Sequence, residues 1–425
     1  MKNKDTPFQE LTLWGCIMKY WSGACMALAE MPSMSRWFHI FWLSGPLIML
    51  IERSPADAWI SICALTFLVR AVVKRQSDWL KFFWVRAVFA FWVVCLTSAV
   101  LSDLPAYSLS EAFIWIRFPL FAMASCFWLG TDKRLLHAMI GMTILGMLIM
   151  SCILLAEILI VGQQGGRLSW PYGDLVPGNY LAKVCLPAYT VLVAVAISSQ
   201  RSLAVPAGLV SIFTILISVS TGERINFIIR AFSGMLAACI WKPRIIRLFC
   251  LLFLELLAIL LLITANPSSS YRFIDRFINE LPTQTDSPYM SVWNGGIDAF
   301  QSAPIIGIGP DNYRLLCSKI SAIQTDVDCH THPHNFYIQI AAETGLIGLA
   351  TGVVMIGSLI WFCFITGVKN RNNVVAATAF IIPLGLFFPI QSTADFFGQW
   401  NNIFMWSAVG LAIATRNLSG NIFQP

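Results

Sequence analysis

Long apolar stretches separated by short polar segments run along most of the chain. A helix needs about 20 apolar residues to cross a bilayer, and about twelve stretches approach or exceed that length. They lie near residues 37–51, 57–73, 83–101, 112–129, 136–162, 181–198, 203–220, 226–241, 246–264, 336–365, 374–390 and 399–415. Barrel strands would be short and would alternate apolar with polar residues. The pattern therefore predicts an all-α, polytopic membrane bundle of about twelve transmembrane helices.

One long polar segment interrupts this pattern. Residues 265–335 are too long for a simple connector, so we expect a large loop there. It divides the chain into an N-terminal bundle of about nine helices, residues 1–264, and C-terminal transmembrane helices, residues 336–425. Composition agrees, because 57% of the residues are hydrophobic and 12% are charged, whereas soluble domains carry about a quarter charged residues. Residues 1–36 lack the features of a cleavable signal peptide.

Lysine and arginine are concentrated in every second loop between the predicted helices. These loops contain Lys74, Arg75, Lys81, Lys133, Arg134, Arg201, Lys242, Arg244, Arg247, Lys369 and Arg371. Because basic loops stay in the cytoplasm, we expect both termini to be cytoplasmic and the large loop to face outward. The net charge of +6 reflects this bias. It does not indicate nucleic-acid binding, because no basic stripe with interleaved aromatic residues is present.

Several arginines break the charge rule because they lie in, or just after, loops predicted to face outward. They are Arg167, Arg224, Arg230, Arg272, Arg276 and Arg314. One reason for such placement is binding of a phosphate or pyrophosphate, whose oxygens match the guanidinium fork. The alternative is that each arginine reaches lipid headgroups or pairs with a nearby acid, Arg224 with Glu223 and Arg167 with Asp174. Because three outward loops carry these arginines, anion binding is favoured.

Three of the five histidines fall in one short segment at the end of the large loop, His330, His332 and His334. A neutral imidazole titrates in the range that a general base needs. The alternating spacing would also turn the three rings to one side of an extended segment, which is a plausible zinc arrangement. Glu343 follows His334 by nine residues, on the opposite face of a continuous helix. We therefore expect it to satisfy a polar neighbour or helix end rather than to orient His334.

The large loop contains two cysteines, Cys317 and Cys329, and the other ten lie in or near predicted membrane helices. An oxidising exterior allows a disulfide between the two loop cysteines. The alternative is a pair of free thiols.

The motifs of the C-terminal two thirds resemble those of the O-antigen ligase and polymerase superfamily, most densely over about residues 220–400. The resemblance rests on Arg167 with Pro171-Tyr172-Gly173-Asp174, Thr221-Gly222-Glu223-Arg224, Pro304-Ile305-Ile306-Gly307-Ile308-Gly309-Pro310-Asp311-Asn312-Tyr313, His334-Asn335-Phe336-Tyr337-Ile338-Gln339, Glu343-Thr344-Gly345-Leu346-Ile347-Gly348 and Phe396-Phe397-Gly398-Gln399-Trp400-Asn401-Asn402. The N-terminal third matches this family in hydropathy only.

The resemblance implies a helical glycosyltransferase of the bacterial inner membrane, GT-C-like in fold, with its large loop in the periplasm. Its donor would be a glycan on a polyprenyl diphosphate carrier, and its acceptor lipid A–core or another glycan within the membrane. It implies an inverting reaction without a metal or other cofactor. His334 would be the catalytic histidine, with His332, Asn335, Glu343 and Asp174 in support.

By the same resemblance, Arg224, Arg167 and an arginine of the large loop would bind the diphosphate. Many family members carry an arginine just before the tryptophan of that loop, but Tyr289-Met290-Ser291-Val292-Trp293 has none. Arg314 or Arg276 would then take its place.

The preferred interpretation is an O-antigen ligase, which transfers the glycan to lipid A–core. The first alternative is a polymerase of the same superfamily, which extends a carrier-linked repeat unit. The second is a transporter of lipid-linked or soluble substrates. Transport is less favoured because transporters place polar or Gly/Pro-broken segments at mid-membrane in two similar halves, whereas here the polar residues collect at one face.

Overall fold

The computed structural model describes residues 13–173, 177–198, 201–240, 245–265, 267–275, 287–321, 329–389 and 394–418. Within these ranges the chain forms helices joined by turns and no β-strand. The prediction of an all-α membrane bundle is confirmed by this architecture and by the apolar helices it contains.

The helices are numbered here in chain order. Helices α1 to α8 cover Leu13–Ala29, Ser33–Leu43, Gly45–Ile48, Arg53–Val73, Phe83–Val100, Pro105–Trp115, Arg117–Ala124 and Lys133–Ile160. Helices α9 to α14 cover Pro177–Asn179, Leu186–Ser198, Arg201–Ser220, Arg224–Ile240, Ile245–Ala265 and Pro267–Ser270. Helices α15 to α20 cover Pro288–Ser302, Tyr313–Ile320, Phe336–Lys369, Val374–Thr378, Ile381–Leu386 and Gln399–Ala414. Wider π-helical turns occupy Ser125–Leu129, Tyr180–Val184 and Tyr271–Asp275, and 3₁₀ turns Asp78–Lys81 and Thr415–Leu418.

Seven helices of the described chain are long and apolar enough to cross a membrane, or eight if one bent pair forms a single span. That pair is Pro177–Val184 with Leu186–Ile197, bent by 59°. All twelve predicted stretches contain helix, but five of them are short or broken, so the count of twelve is not confirmed. Helix α13 exposes Ile246, Phe249 and Phe253, as expected for side chains that face lipid rather than water.

The centre of the bundle is held together by aromatic packing around Trp115. Its ring lies 5.4 Å from that of Phe91, 5.9 Å from that of Phe396 and 5.9 Å from that of Trp406, measured between centroids. Offset and edge-to-face pairs of this kind add about 0.5–1.5 kcal/mol each beyond the area they bury. The segment that contains Phe396 is therefore fixed against helices α5, α6 and α20.

Helix α17 is kinked at Gly345, where φ is 66° and ψ is −169°. The segment after α15 docks onto this kink: the Ile308 amide donates to the Ala342 carbonyl, and the Leu346 amide donates to the Pro304 carbonyl. A Cβ atom on Gly307 would lie 2.3 Å from the Glu343 backbone. Glycine is required at both positions, by close approach at Gly307 and by positive φ at Gly345. The two motifs of the large loop and α17 thus form one structural unit.

Candidate active site

Two of the predicted outward loops meet through an ion pair between Arg167 and Glu223. The Arg167 guanidinium lies 3.5 Å from the Glu223 carboxylate, and both side chains are partly exposed. The loop that carries Arg167 is held by the buried Glu157, whose carboxylate accepts hydrogen bonds from the amides of Ser169 and Trp170. Arg167 therefore pairs with a residue of the neighbouring loop. Asp174, its predicted partner, lies outside the described residues.

Arg224 contacts the large loop beside the ion pair of Arg167 and Glu223. This residue begins helix α12, and its Nη2 donates a hydrogen bond to the Tyr289 hydroxyl over 3.2 Å. Tyr289 lies in the first turn of α15, which begins after the Ser287 cap. Arg167, Arg224 and Tyr289 therefore join three loops that the sequence separates widely.

Helix α15 connects this arginine cluster to the histidines. A Cβ atom on Gly296 would lie 2.7 Å from Pro333 and 2.5 Å from Ile338, so α15 lies directly against the segment around His334. Tyr289 and Gly296 are seven residues apart, which is two helical turns on one face, about 10 Å along the axis. Trp293 lies on the same face between them. The Arg224 and His334 neighbourhoods therefore face one side of a single helix.

The three histidine rings are grouped around His334. Its ring centroid lies 4.3 Å from that of His332 and 5.6 Å from that of His330, in edge-to-face contacts. His334 has φ of 52°, in the left-handed region that residues other than glycine rarely adopt. A strained backbone of this kind is often found at functional sites. In the described ranges, no group of three His, Cys, Asp or Glu side chains has the geometry to hold a metal ion.

Asn335 fixes the position of His334 at the start of α17. Its side-chain oxygen accepts hydrogen bonds from the amides of Tyr337 and Ile338, and its Nδ2 donates to the Pro389 carbonyl over 2.8 Å. This is an N-cap, which typically stabilises a helix by about 1 kcal/mol. Asn335 therefore caps the helix and ties it to the segment after α19.

Glu343 is fully buried and lies apart from this arrangement. Its carboxylate accepts a hydrogen bond from the Tyr313 amide at the start of α16 and another from the Gln339 side chain. Gln339 in turn donates to Asp395 over 2.7 Å and accepts from the Phe396 amide. Glu343 thus has the placement expected of a structural residue, at a helix end within the bundle.

Arg314, whose side chain is partly exposed, joins this network through Asp395. Its guanidinium lies 2.7 Å from Asp311 and also pairs with Asp395. Burial and the nearby Asp395 raise the pKa of Asp311 to about 7, although a hydrogen bond from Tyr107 and the charge of Arg314 favour the carboxylate. With two carboxylates already around it, Arg314 is engaged within the fold, and we do not assign it to the diphosphate.

The structure places the remaining predicted residues in different settings. A disulfide joins Cys317 to Cys329, the pair that the sequence indicates. Arg230 is fully buried. Its guanidinium donates to the carbonyl and hydroxyl oxygens of Thr214 and lies 4.3 Å from the centroid of the Tyr189 ring, so it serves helix packing. Arg276 lies outside the described residues.

The structure also reveals two residues to which sequence reasoning gave no role. The indole N–H of Trp293 is buried without a hydrogen-bond partner in the described chain. Lys183 is 6% exposed and donates to the Asn401 side chain. Lys183 lies within a predicted apolar stretch, at its outer end. A lysine there breaks the positive-inside rule, and this exception could have identified it from the sequence.

These features define a multi-pass helical membrane protein with arginines and histidines collected beside its large loop. Residues 206–353 match the family model described as O-antigen ligase, and this match supports membership of the O-antigen ligase superfamily. The resemblance found in the motifs is thus confirmed at the level of the superfamily. The match supports a function of the O-antigen ligase or polymerase type, and that family implies a lipid-linked glycan and a glycan acceptor as substrates. No curated protein matches the chain.

Proposed function

We propose that this protein is an O-antigen ligase, an inverting and metal-independent glycosyltransferase. It takes a glycan from a polyprenyl diphosphate carrier and attaches it to a sugar hydroxyl of lipid A–core. The observation that carries the proposal is the placement of Arg224 and the His334 segment along one face of helix α15. A diphosphate held at Arg224 would extend its glycan along that face toward His334.

His334 is the proposed general base. The acceptor hydroxyl oxygen forms a bond to the anomeric carbon, the bond from that carbon to the phosphate oxygen breaks, and the hydroxyl proton passes to the imidazole of His334. General-base catalysis of this kind contributes about 10²–10⁴-fold in rate. His332, in ring contact with His334, and Asn335, which caps the helix, are positioning residues. They support the geometry without transferring the proton.

Arg224 and Arg167 are the proposed diphosphate ligands. Negative charge builds on the departing diphosphate, and fixed guanidinium groups stabilise it without a metal ion. Glu223 holds Arg167 in place and leaves the pair with a net positive charge. Trp293 lies between the two ends of the site, and its partly exposed ring offers an aromatic face to the first sugars of the glycan.

The proposed setting is the bacterial inner membrane. Both termini lie in the cytoplasm, and residues 265–335 face the periplasm between an N-terminal bundle, 1–264, and C-terminal helices, 336–425. The alternation of basic loops supports this orientation. The arginine and histidine cluster would then lie where a lipid-linked donor with its glycan in the periplasm meets lipid A–core.

The test is transfer by the purified protein in detergent with EDTA, using a polyprenyl-diphosphate-linked glycan as donor. Lipid A–core and a carrier-linked repeat unit are offered separately as acceptors. Product on lipid A–core alone is the expected result. Product on the carrier-linked repeat instead would assign a polymerase, and activity only after addition of zinc would assign a metal site to the histidines. If no product forms under any condition, the transporter interpretation would be favoured instead.

A further inference from the structure

We propose that Lys183 is a third diphosphate-binding residue, on the helical arm that packs against the loop of Arg224. This inference rests on the proposed function, because it assigns an additional ligand to the same donor site. Lys183 lies in the π-helical turn Tyr180–Val184, in the first arm of the bent helix pair. That arm places an ammonium group inside the bundle, which is costly unless the charge is used or compensated.

The described structure gives the Lys183 charge little compensation. Its ammonium donates one hydrogen bond, to the neutral side-chain oxygen of Asn401. An ammonium has three donors, and among the described residues no carboxylate lies within ion-pair distance of it. The carboxylate that influences it electrostatically is Glu223, which is already paired with Arg167. A protonated Lys183 therefore contributes positive potential at Glu223, beside the two arginines.

Packing of the bent arm confirms that it lies against the Arg224 loop. Gly178 is about one turn before Lys183, and a Cβ atom there would lie 3.0 Å from Thr221, 3.0 Å from Asn226 and 3.1 Å from Glu223. The Asn226 side-chain amide is buried, and neither its nitrogen nor its oxygen has a hydrogen-bond partner in the described chain. Unpartnered buried polar groups are rare in proteins. The contact between the bent arm and the Arg224 loop therefore contains a hydrogen-bond donor and an acceptor that are free to bind a ligand.

The charges of the cluster match a diphosphate. In its described part, Arg167 pairs with the carboxylate of Glu223, and Arg224 and a protonated Lys183 add positive charge beside that pair. A diphosphate that bridges a polyprenyl chain and a sugar carries two negative charges, and it gains negative charge when the sugar leaves. A single phosphate that bridges a polyprenyl chain and a sugar carries one negative charge and offers fewer oxygens to these cations. The cluster therefore favours diphosphate carriers over monophosphate carriers.

The test compares binding of farnesyl diphosphate and farnesyl monophosphate to the full-length protein in detergent. Lys183→Gln retains a donor toward Asn401 but removes the charge. We expect it to bind farnesyl diphosphate about tenfold more weakly, with a smaller loss for the monophosphate, which has one phosphate group fewer to reach the lysine. Lys319→Gln is the matched control, because Lys319 is an exposed lysine of the large loop, and it should bind both probes as wild type does.

If Lys183 has only a structural role, the binding results should differ from these. Wild-type affinity for farnesyl diphosphate in Lys183→Gln, or equal losses for both probes, would overturn the proposal. If Lys183→Gln does not fold, Asn401→Asp provides the second test, because it places a carboxylate against the ammonium. We expect that variant to weaken diphosphate binding, and wild-type affinity in it would contradict the assignment.

The same measurements separate this inference from the proposed function. Arg224→Ala should lose farnesyl diphosphate binding under either assignment of Lys183. Loss in Arg224→Ala with none in Lys183→Gln overturns the lysine assignment alone. No binding of farnesyl diphosphate by the wild-type protein overturns the donor site and the lysine together.

Discussion

Arg224 donates a hydrogen bond to the hydroxyl of Tyr289 across 3.2 Å. The two residues are 65 positions apart, and their contact joins the start of α12 to the first turn of α15. Because α15 also lies against Pro333, this bond sets the distance between the proposed diphosphate site and His334. The relationship makes Tyr289 a positioning residue for the guanidinium.

Removing the Tyr289 hydroxyl should weaken donor binding. A hydrogen bond to a charged group contributes about 1.5–3 kcal/mol, and loss of part of it should raise the KM for the lipid-linked donor about three- to tenfold in Tyr289→Phe. The kcat value should change less, because His334 is untouched. Steady-state kinetics with varied donor measures both values, with Tyr20→Phe, an exposed tyrosine of α1, as control. An unchanged KM in Tyr289→Phe would argue against the positioning role.

Replacing Glu343 should destabilise the fold rather than block chemistry directly. Glu343→Ala leaves the Tyr313 amide and the Gln339 side chain without their buried acceptor, at a cost of about 1–3 kcal/mol for each unsatisfied group. The melting temperature in detergent should fall markedly in this variant and less in Glu343→Gln, which keeps one acceptor oxygen. A folded, fully stable but inactive Glu343→Gln protein would instead indicate a catalytic carboxyl group.

Stability should decrease as the pH rises through neutrality because of Asp311. Its pKa of about 7 lies above the ordinary value of an aspartate, so the folded protein holds a proton that the unfolded chain has released. The stabilisation is complete below about pH 4 and is lost as the pH rises through about 7. The melting temperature of the wild-type protein should therefore fall between pH 5 and pH 8.

Asp311→Asn isolates that effect. The amide cannot ionise, so the fall in melting temperature between pH 5 and pH 8 should be smaller in this variant than in wild type. Asp103→Asn, an exposed position, should retain the wild-type dependence. Parallel curves for all three proteins would show that Asp311 does not carry the proton.

The disulfide should protect two thiols and stabilise the large loop. Peptides that contain Cys317 or Cys329 should react with an alkylating reagent only after reduction, as measured by mass spectrometry. A bridge between residues separated by 12 positions should contribute about 2–3 kcal/mol. The Cys317→Ser, Cys329→Ser double variant should therefore melt at a lower temperature, whereas Cys25→Ser, an exposed free cysteine, should not. Labelling of both peptides before reduction would exclude the bridge.

Much of the fold follows from hydropathy alone, because each predicted apolar stretch contains helix. The positions where these helices break or bend do not follow from hydropathy. The stretch near 37–51 divides into Ser33–Leu43 and Gly45–Ile48, and the one near 181–198 is joined to a bent arm that begins at Pro177. Helix Leu13–Ala29 was not predicted. Local bends depend on which neighbours replace lost backbone hydrogen bonds, and that information lies in tertiary packing.

The candidate site was predictable residue by residue but not in its pairings. Arginine and histidine on the outward side were visible as exceptions to the charge rule. The ion pairs that these arginines form were not visible in the sequence. Arg167 pairs with Glu223, and Arg314 pairs with Asp311 and Asp395. Such contacts join distant segments, and side-chain type alone does not select among several nearby acids.

The proposed role of His334 in taking the acceptor proton is tested most directly by single-turnover glycan transfer in His334→Ala. We expect the transfer rate to fall by at least about a hundredfold, with donor binding and melting temperature close to wild type. The control is His137→Ala, on helix α8, near the end far from the Arg167 loop, and it should remain active. Transfer by His334→Ala at the wild-type rate would show that His334 is not the general base.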